Sequence, residues 1–141
     1  MTQDRNLSTI EKVIFLKSVD IFEHAAIEEL GRLAALTQEV RFEAGETIYR
    51  EGDPVEAIYV ILKGCAAVQS NGKVIREVGE KHVVGALAAL DLNSALRTVK
   101  AIEPVHALKL NVQDFQDVLS SDFELVKAVF RVVSEHIRKG F

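Results

Sequence analysis

The chain has 141 residues, and its 17 Lys and Arg residues against 21 Asp and Glu residues give a formal net charge of −4 at pH 7. Hydrophobic residues make up 48% and charged residues 27% of the chain, a balance that is typical of a folded globular domain and excludes a disordered tail. The mildly acidic charge does not supply the basic field that drives general nucleic-acid binding, and a single cysteine excludes an internal disulfide framework.

Two amphipathic helices are predicted at the N-terminus, over about residues 8–36. The first begins at a capping box in which Ser8 and Glu11 satisfy each other's backbone N–H groups. The second follows a short break at Asp20–Phe22. We expect Gly31 inside it to mark close packing, because glycine in a helix costs about 1 kcal/mol relative to alanine. The apolar positions at helical spacing are Ile10, Val13 and Ile14 in the first helix and Ile27, Leu30, Leu33, Ala34 and Leu36 in the second.

Short β-strands separated by turn residues are predicted from about residue 39 to residue 110. Val40 and Phe42 alternate with charged neighbours, which is typical of a half-buried strand. Asn71-Gly72 is the strongest hairpin signal, because a type I′ turn needs positive φ at both central residues. Further strands are predicted over residues 57–62, 65–69, 74–78, 98–101 and 105–110. Many short strands joined by tight turns indicate a β-barrel or sandwich.

One segment interrupts the predicted strands. Residues 83–90 are rich in Ala and Leu and lack β-branched residues after Val84, which predicts a short helix over residues 85–90 inserted in the β-roll. A glycine at position 85 would let an anionic ligand approach the N–H groups at the start of that helix. The alternative is that the segment is a helical crossover that only packs against the core.

Two helices are predicted at the C-terminus, over about residues 111–139. Asn111 is the predicted N-cap of the first, with Asp114 as its third residue. Ser121 is the predicted N-cap of the second, with Glu124 in the box position. One face of the last helix carries Val126, Val129, Phe130, Val133 and Ile137. This order of elements predicts an α+β fold in a single domain over residues 1–141: a double-stranded β-helix, or jelly-roll-like β-roll, flanked by N-terminal helices and a long C-terminal helix.

Neither a metal site nor a catalytic site is predicted. The four histidines have no spacing that puts two of them on one face of an element; they are His24, His82, His106 and His136. Cys65 follows a Lys-Gly turn and is interpreted as a small buried hydrophobic residue on a strand. The acidic residues interpreted as solvated faces are Glu28, Glu29, Glu77 and Glu80. The alternative of a cupin-like metalloenzyme would require a bound metal, which we do not expect.

Three motifs, in order along the chain, resemble the β-roll of cyclic nucleotide-binding domains. They are residues 42–48 (FEAGETI), 51–53 (EGD) and 58–64 (IYVILKG). This family includes the regulatory subunits of cyclic-AMP-dependent kinase, the catabolite activator proteins and the nucleotide-gated channels, and the resemblance covers about residues 15–137. In the family the inserted helix is the phosphate-binding cassette, which runs Phe-Gly-Glu-Leu-Ala. Ten residues after its Gly comes the Arg of Arg-Ala-Ala-Thr-Val-x-Ala.

When the family pattern is aligned with this sequence without a gap, its glycine and its Thr-Val-x-Ala segment match, but its two charged residues do not. Gly85 matches the family Gly, and Thr98–Ala101 match Thr-Val-x-Ala. The family Glu falls on Ala86, and the family Arg falls on Ala95. The ligand-binding positions that the resemblance implies are Val84, Gly85, Ala86, Leu87, Ala88, Ala95, Leu96, Arg97 and Thr98.

The two absent side chains make charged contacts to the cyclic nucleotide in the family. The Glu accepts hydrogen bonds from the ribose 2′-hydroxyl, and the Arg forms a bidentate, charge-assisted contact with the cyclic phosphate. Each such bond contributes about 1.5–3 kcal/mol, so losing both weakens binding by roughly 10²–10⁴ in dissociation constant. We therefore expect no cofactor and no ordinary binding of cyclic AMP or cyclic GMP.

Arg97 offers an alternative contact for an anion. It lies two residues after Ala95, so in an extended segment both side chains project from the same side, and that of Arg97 can reach toward the phosphate position. With the backbone amides of residues 85–87 it would form a site for a cyclic nucleotide or another small anion. Against this stand Asp91, which would repel an anion, and the simpler interpretation of Arg97 as a solvated surface charge.

The resemblance also implies the partners of the chain. We expect a non-catalytic regulatory or interaction module of a larger protein, such as a channel or transporter, in which the cassette and the C-terminal helices move together. The parent polypeptide or a partner domain, and a second copy bound through the C-terminal helix, are the expected contacts. The chain ends at residue 141 without the recognition helix of the catabolite activators, so we expect no direct contact with nucleic acid.

The hydropathy of the chain predicts its location. Its longest stretch without a charged or strongly polar residue, residues 83–90, is far shorter than the roughly 20 residues that cross a bilayer. The N-terminus has no apolar segment typical of a secretory signal. We therefore expect a cytoplasmic domain with no membrane contact of its own, even where the parent protein lies in a membrane.

Overall fold

The computed structural model describes residues 6–91, 95 and 97–138, apart from the side chains of Leu87, Asp91 and His136. Within these residues, eight strands form two antiparallel four-stranded sheets, with helices before and after them. This is a jelly-roll-like β-roll flanked by helices, so the predicted fold class is confirmed.

The N-terminal helices are α1 (Thr9–Lys17) and α2 (Ile27–Leu36), joined through a 3₁₀ turn at Asp20–Phe22. The predicted capping box is confirmed: the Glu11 N–H donates to Ser8 Oγ at 3.1 Å, and the Ser8 N–H donates to Glu11 Oε1 at 2.8 Å. The expectation for Gly31 is wrong, because among the described residues no atom beyond its own helix backbone and its two chain neighbours lies within 4 Å of where its β-carbon would be.

The apolar positions of these two helices are only partly buried. Leu16 is buried in α1, whereas Ile10 and Ile14 lie on its exposed side. In α2 the buried residues are Leu30, Leu33 and Ala34, and the exposed apolar residues are Ile27 and Leu36. The contact with the β-roll is therefore narrower than the apolar stripe that the sequence predicts.

The strands alternate between the two sheets along much of the chain. Their bounds are β1 (Gln38–Phe42), β2 (Thr47–Tyr49), β3 (Ala57–Lys63), β4 (Ala66–Ser70), β5 (Lys73–Val78), β6 (Val83–Val84), β7 (Thr98–Ala101) and β8 (Val105–Asn111). The first sheet has the order β1-β8-β3-β6, and the second has the order β2-β7-β4-β5.

The hairpin between β4 and β5 turns at Asn71-Gly72, as the sequence predicts. The φ angles are 54° at Asn71 and 79° at Gly72, which is the pair of positive values that a type I′ turn requires. Ser70 pairs with Lys73 across the turn, and a bulge after Val68 shifts the register farther along the hairpin. This bulge decides which β5 side chains face the interior.

The apolar core has two parts. The larger part lies between the first sheet and the helices, and it includes Phe22, Leu30, Ile58, Leu108, Phe115 and Leu125. The smaller part lies between the two sheets, and it includes Ile61, Val68, Val84, Val99, Val105 and Ala107. The helices are thus fixed to the first sheet, and the second sheet forms the far wall of the interior.

The C-terminal helices are α4 (Val112–Ser120) and α5 (Phe123–Arg138). Asn111 is the N-cap of α4 as predicted, although its side chain makes no capping hydrogen bond. The predicted cap of α5 is wrong by one residue. Asp122 Oδ1 accepts from the Leu125 N–H at 3.1 Å, so Asp122 is the cap, and Ser121 instead ends α4. Because α5 starts at Phe123, Glu124 is its second residue and not its third.

The predicted apolar face of α5 is split between interior and surface. Of the predicted residues, Val129 and Val133 are buried, Val126 is half-buried, and Phe130 and Ile137 are exposed. Outside the prediction, Leu125 and Ala128 are also buried and Phe123 is exposed. The inserted helix is confirmed as α3 (Ala86–Asp91), between β6 and β7. Over the described part of the chain, no helix combines the length and the hydropathy that crossing a bilayer requires.

Candidate ligand pocket

A cavity of about 630 Å³ lies between the second sheet, α3 and α5. Its sheet wall includes Val68, Val78 and Val99, and its helix wall includes Val129, Val132 and Val133. This volume is within the range of small-molecule sites, roughly 300–1,000 Å³. The cavity therefore has room for a ligand of drug size, and most of its lining is apolar.

Gly85 shapes the entrance to α3. Its φ is +92°, and a β-carbon there would come within 2.8 Å of Tyr49 Cζ. The Tyr49 hydroxyl lies within hydrogen-bond distance of the carbonyl of Ala57 and 3.2 Å from that of Val84. Burial raises the pKa of Tyr49 well above its usual range, so the hydroxyl stays protonated. The Tyr49 ring from β2 thus leaves room only for glycine at position 85, independently of any ligand.

The positions that the sequence aligns with the cassette are brought together on one side of the cavity. Val84, Gly85, Ala86 and Ala88 line it, and the Ala89 N–H donates to the Gly85 carbonyl at 3.0 Å to close the first turn of α3. Leu87 belongs to α3, and its side chain lies outside the description.

Ala95 lies in the cavity wall, held by its backbone. Its N–H donates to the Asp53 carbonyl at 2.8 Å, and its carbonyl accepts from the Gly52 N–H at 2.9 Å. Its side chain is 7% exposed and lines the cavity. Leu96, the next predicted position, lies outside the described residues.

Arg97 also lines the cavity. Its Nη1 donates to Ser70 Oγ at 3.0 Å, and the residue is half-buried. The interpretation of Arg97 as a solvated surface charge is therefore wrong, because the residue precedes β7 with its side chain toward the interior. Thr98 is not among the residues that line the cavity. Its Oγ1 accepts a hydrogen bond from the Glu51 N–H at 3.0 Å.

Arg76, a residue that the sequence analysis did not select, lines the same cavity. Burial lowers its pKa, and the positive charge of Arg97 lowers it further. Its Nε is buried and has no hydrogen-bond partner within the described part of the chain. The mouth of the cavity carries exposed groups of both signs, namely Asp20, Glu77, Glu80, Lys81 and His82.

The other residues that the sequence analysis considered lie apart from one another. His106 Nε2 lies 2.8 Å from Glu39 Oε1, and His82 Nδ1 contacts the backbone of Gly79. Among the described residues, no group of three or more His, Cys, Asp or Glu side chains is placed to hold a metal ion. Cys65 is half-buried and not buried as expected, with its Sγ 3.8 Å from Glu77 Oε1.

Comparison with known proteins identifies the family of the chain. The family model for the cyclic nucleotide-binding domain matches residues 39–122, which is more than half of the chain. The chain belongs to the cyclic nucleotide-binding domain family. The matched segment includes almost all of the two sheets, and it contains α3.

Individual relatives agree with this assignment. The chain is 30% identical over 109 residues to the cAMP-dependent protein kinase regulatory subunit of Dictyostelium discoideum, an alignment that covers 72% of this chain and 33% of that one. The sensor domain of the transcriptional regulator DNR from Pseudomonas aeruginosa has the same fold. It superposes with a TM-score of 0.80 at 19% identity and covers 93% of this chain and 91% of that one.

A third relative is the regulatory subunit of a cAMP-independent protein kinase A from Trypanosoma brucei, in a variant with three substitutions that is bound to cAMP. It is 26% identical with a TM-score of 0.78, and the match covers 88% of this chain and 46% of that one. The cyclic nucleotide-binding domain described here spans about a third or less of the length of the curated relatives that it matches. In these relatives the domain is part of a larger protein.

Proposed function

We propose that this chain is a non-catalytic regulatory domain whose cassette does not bind cyclic AMP or cyclic GMP with the usual affinity. The observation that carries the proposal is the presence of two alanines, Ala86 and Ala95, in the cavity wall. They stand where the family pattern has the Glu that binds the ribose and the Arg that binds the cyclic phosphate. A methyl group makes neither contact.

The energetic consequence follows from these two positions. Charge-assisted hydrogen bonds contribute about 1.5–3 kcal/mol each, so the loss of both raises the dissociation constant by roughly 10²–10⁴. A domain that would otherwise bind in the micromolar range therefore binds too weakly to respond to the nucleotide. The Trypanosoma brucei relative supports the proposal, because that kinase is described as cAMP-independent and its substituted regulatory subunit binds cAMP.

The experiment is a calorimetric titration of the folded wild-type chain with cyclic AMP and, separately, with cyclic GMP. A thermal melt on the same preparation verifies that the protein is folded. We expect no saturable heat in the micromolar range with either nucleotide. Saturable binding at micromolar concentration would contradict the proposal.

A second candidate function is a sensor of another small anion. It is favoured by the position of Arg97, which lines the cavity together with Arg76 and whose Nη1 donates to Ser70 Oγ. The sensor predicts binding of cyclic nucleotides or small anions by the wild-type chain that Arg97→Ala removes. Equal and negligible heats for the two proteins would end this candidate.

We also propose that the C-terminal helix provides the contacts to partners, including a second copy of the chain. Phe123, Phe130 and Ile137 are seven positions apart in sequence, and they are 71%, 60% and 57% exposed. A seven-residue apolar spacing is that of the seam in a coiled coil. Val129, Val132 and Val133 on another face of α5 line the cavity, so occupancy of the cavity would act directly on this helix. The parent polypeptide and a cytoplasmic location remain predictions.

A further inference from the structure

Two arginines face the cavity from the inner surface of the second sheet. Arg76 on β5 pairs with Val68 on β4, and Arg97 lies just before β7, where it contacts Ser70 at the end of β4. Side chains alternate across a sheet, so Val68 and Ser70 point to the same side, and both arginines lie on that side with them. The two positive charges are close enough for Arg97 to lower the pKa of Arg76.

The inward position of Arg76 results from the bulge in the hairpin. Counting back from the turn, Gln69 pairs with Val74, but Val68 pairs with Arg76, so Ile75 is skipped. A shift of one residue moves every following side chain to the other face. The strand thereby leaves Val74 and Ile75 at 55% and 41% exposure and turns an arginine toward the interior. The hydrophobic effect favours the reverse, with the apolar side chains inside and the arginine at the surface.

The Arg76 guanidinium has an unused donor. Its Nε is buried and has no hydrogen-bond partner in the described part of the molecule. A buried donor that has lost its water and found no acceptor destabilises the fold. The nearest acidic residue in sequence, Glu77, does not supply the acceptor, because it is exposed and its Oε1 lies 3.8 Å from Cys65 Sγ. An anion bound beside Arg76 would satisfy this donor.

Apart from the charged groups at its mouth, the rest of the cavity has few polar side chains for a sugar. The walls from the sheet and from α5 are mostly valines, including Val78, Val99, Val129 and Val133. The Tyr49 hydroxyl is occupied by the carbonyls of Ala57 and Val84. A ribose buried against these valine walls would find no side-chain partners there for its hydroxyls, whereas an apolar group would gain from burial.

We propose that the cavity binds an amphipathic anion, with a carboxylate, sulfonate or phosphate head between Arg76 and Arg97 and an apolar body against the valine walls. Guanidinium groups bind such heads through paired N–H donors. The inference rests on the proposed function, because it requires that the cavity does not bind a cyclic nucleotide with the usual affinity. It assigns to Arg76 a role that the sequence analysis did not find.

The test uses two fluorescent probes that share an apolar body. 1-Anilinonaphthalene-8-sulfonate carries a sulfonate, and N-phenyl-1-naphthylamine lacks it. Each is titrated against the wild-type chain, Arg76→Gln, Arg97→Gln and the control Arg131→Gln, which changes an exposed arginine of α5 outside the cavity. Thermal melts establish that each variant is folded, and the two cavity variants test the proposal independently of each other.

We expect the sulfonate probe to bind the two cavity variants about ten- to a hundredfold more weakly than it binds the wild type and Arg131→Gln. The neutral probe should bind all four proteins equally. Sulfonate binding that neither cavity substitution changes would overturn the inference, and so would an equal loss for the neutral probe.

A competition arm separates this inference from the proposed function. Cyclic AMP is added at micromolar concentration to the wild-type chain carrying the sulfonate probe, and we expect no displacement. Displacement would overturn the proposed function and this inference together. If cyclic AMP does not displace the probe and the arginine substitutions have no effect, only the inference fails.

Discussion

The ring of Tyr49 occupies the space that a β-carbon on Gly85 would need. That β-carbon would lie 2.8 Å from Tyr49 Cζ, and the hydroxyl of the same ring contacts the carbonyls of Ala57 and Val84. The start of α3 is thus fixed by a side chain from β2. Glycine at position 85 is therefore needed by the packing of Tyr49, whether or not a ligand approaches the backbone there.

Gly85→Ala should destabilise the domain. The φ of +92° costs an L-residue roughly 1–2 kcal/mol, and the contact with the Tyr49 ring adds to this. The measurement is the free energy of unfolding in denaturant. The matched control is Gly31→Ala, which lies in a helix with open space around it and should stabilise the fold by about 0.5–1 kcal/mol. Equal effects of the two substitutions would show that Tyr49 does not constrain Gly85.

Asp122→Ala should destabilise α5 by about 0.5–2 kcal/mol, because Oδ1 of Asp122 accepts from the Leu125 N–H. Ser121→Ala should cost less, about 0.5 kcal/mol, since Ser121 ends α4 and is an exposed residue. Thermal unfolding of both variants measures the difference. A larger loss for Ser121→Ala would mean that Ser121 caps α5, as the sequence pattern predicts.

Cys65 should react slowly with an alkylating agent, because the thiolate is the reactive form. Burial raises the pKa of the thiol, and the carboxylates of Glu77 and Glu103 raise it further. An ordinary thiol is half ionised at a pH of about 8.5. The alkylation rate of Cys65 should therefore still increase as the pH is raised above that value. Removing a negative charge lowers the thiol pKa, so Glu77→Gln should raise the alkylation rate at pH 8 by roughly two- to fivefold.

The control for the thiol is Glu80→Gln, another exposed carboxylate, which does not contribute to the raised pKa of Cys65. Its alkylation rate should equal that of the wild type. A Glu77→Gln rate no faster than the control would show that the carboxylate beside Cys65 does not act on it.

Phe130→Asp should convert a dimer to a monomer without loss of the fold, because Phe130 is 60% exposed and lies in the middle of the seven-residue apolar spacing on α5. The measurement is molar mass by light scattering during size exclusion. Ile10→Asp is the matched control, since it places the same charge on an exposed apolar position of α1. The proposed dimer contact through α5 would be contradicted if the wild-type chain is monomeric at high concentration, or if the Phe130→Asp variant remains dimeric.

Features that depend on local chemistry could be predicted from the sequence. The turn at Asn71-Gly72 requires two positive φ angles that few residue pairs adopt, and the capping box of Ser8 and Glu11 uses contacts three residues apart. The inserted helix is also visible, because an Ala- and Leu-rich segment stands out between β-branched strands.

Features that depend on register could not be predicted. Counted from the turn at Asn71-Gly72, regular alternation would put Ile75 inward and Arg76 outward, and the bulge after Val68 reverses this. The cap of α5 depends on a shift of one residue between Ser121 and Asp122, both of which are good capping residues. The split face of α5 likewise depends on how the helix is rotated against the 3₁₀ turn and α4, which its own sequence does not determine.

The most direct measurement is the affinity for cyclic AMP of a variant that restores both family residues, Ala86→Glu with Ala95→Arg. The control is Ala35→Glu with Ala44→Arg, which makes the same two changes at exposed alanines away from the cavity. We predict micromolar binding by the cassette variant, roughly 10²–10⁴ tighter than by the wild type and the control. A wild-type chain that already binds cyclic AMP in the micromolar range, with no gain in the cassette variant, would contradict the account.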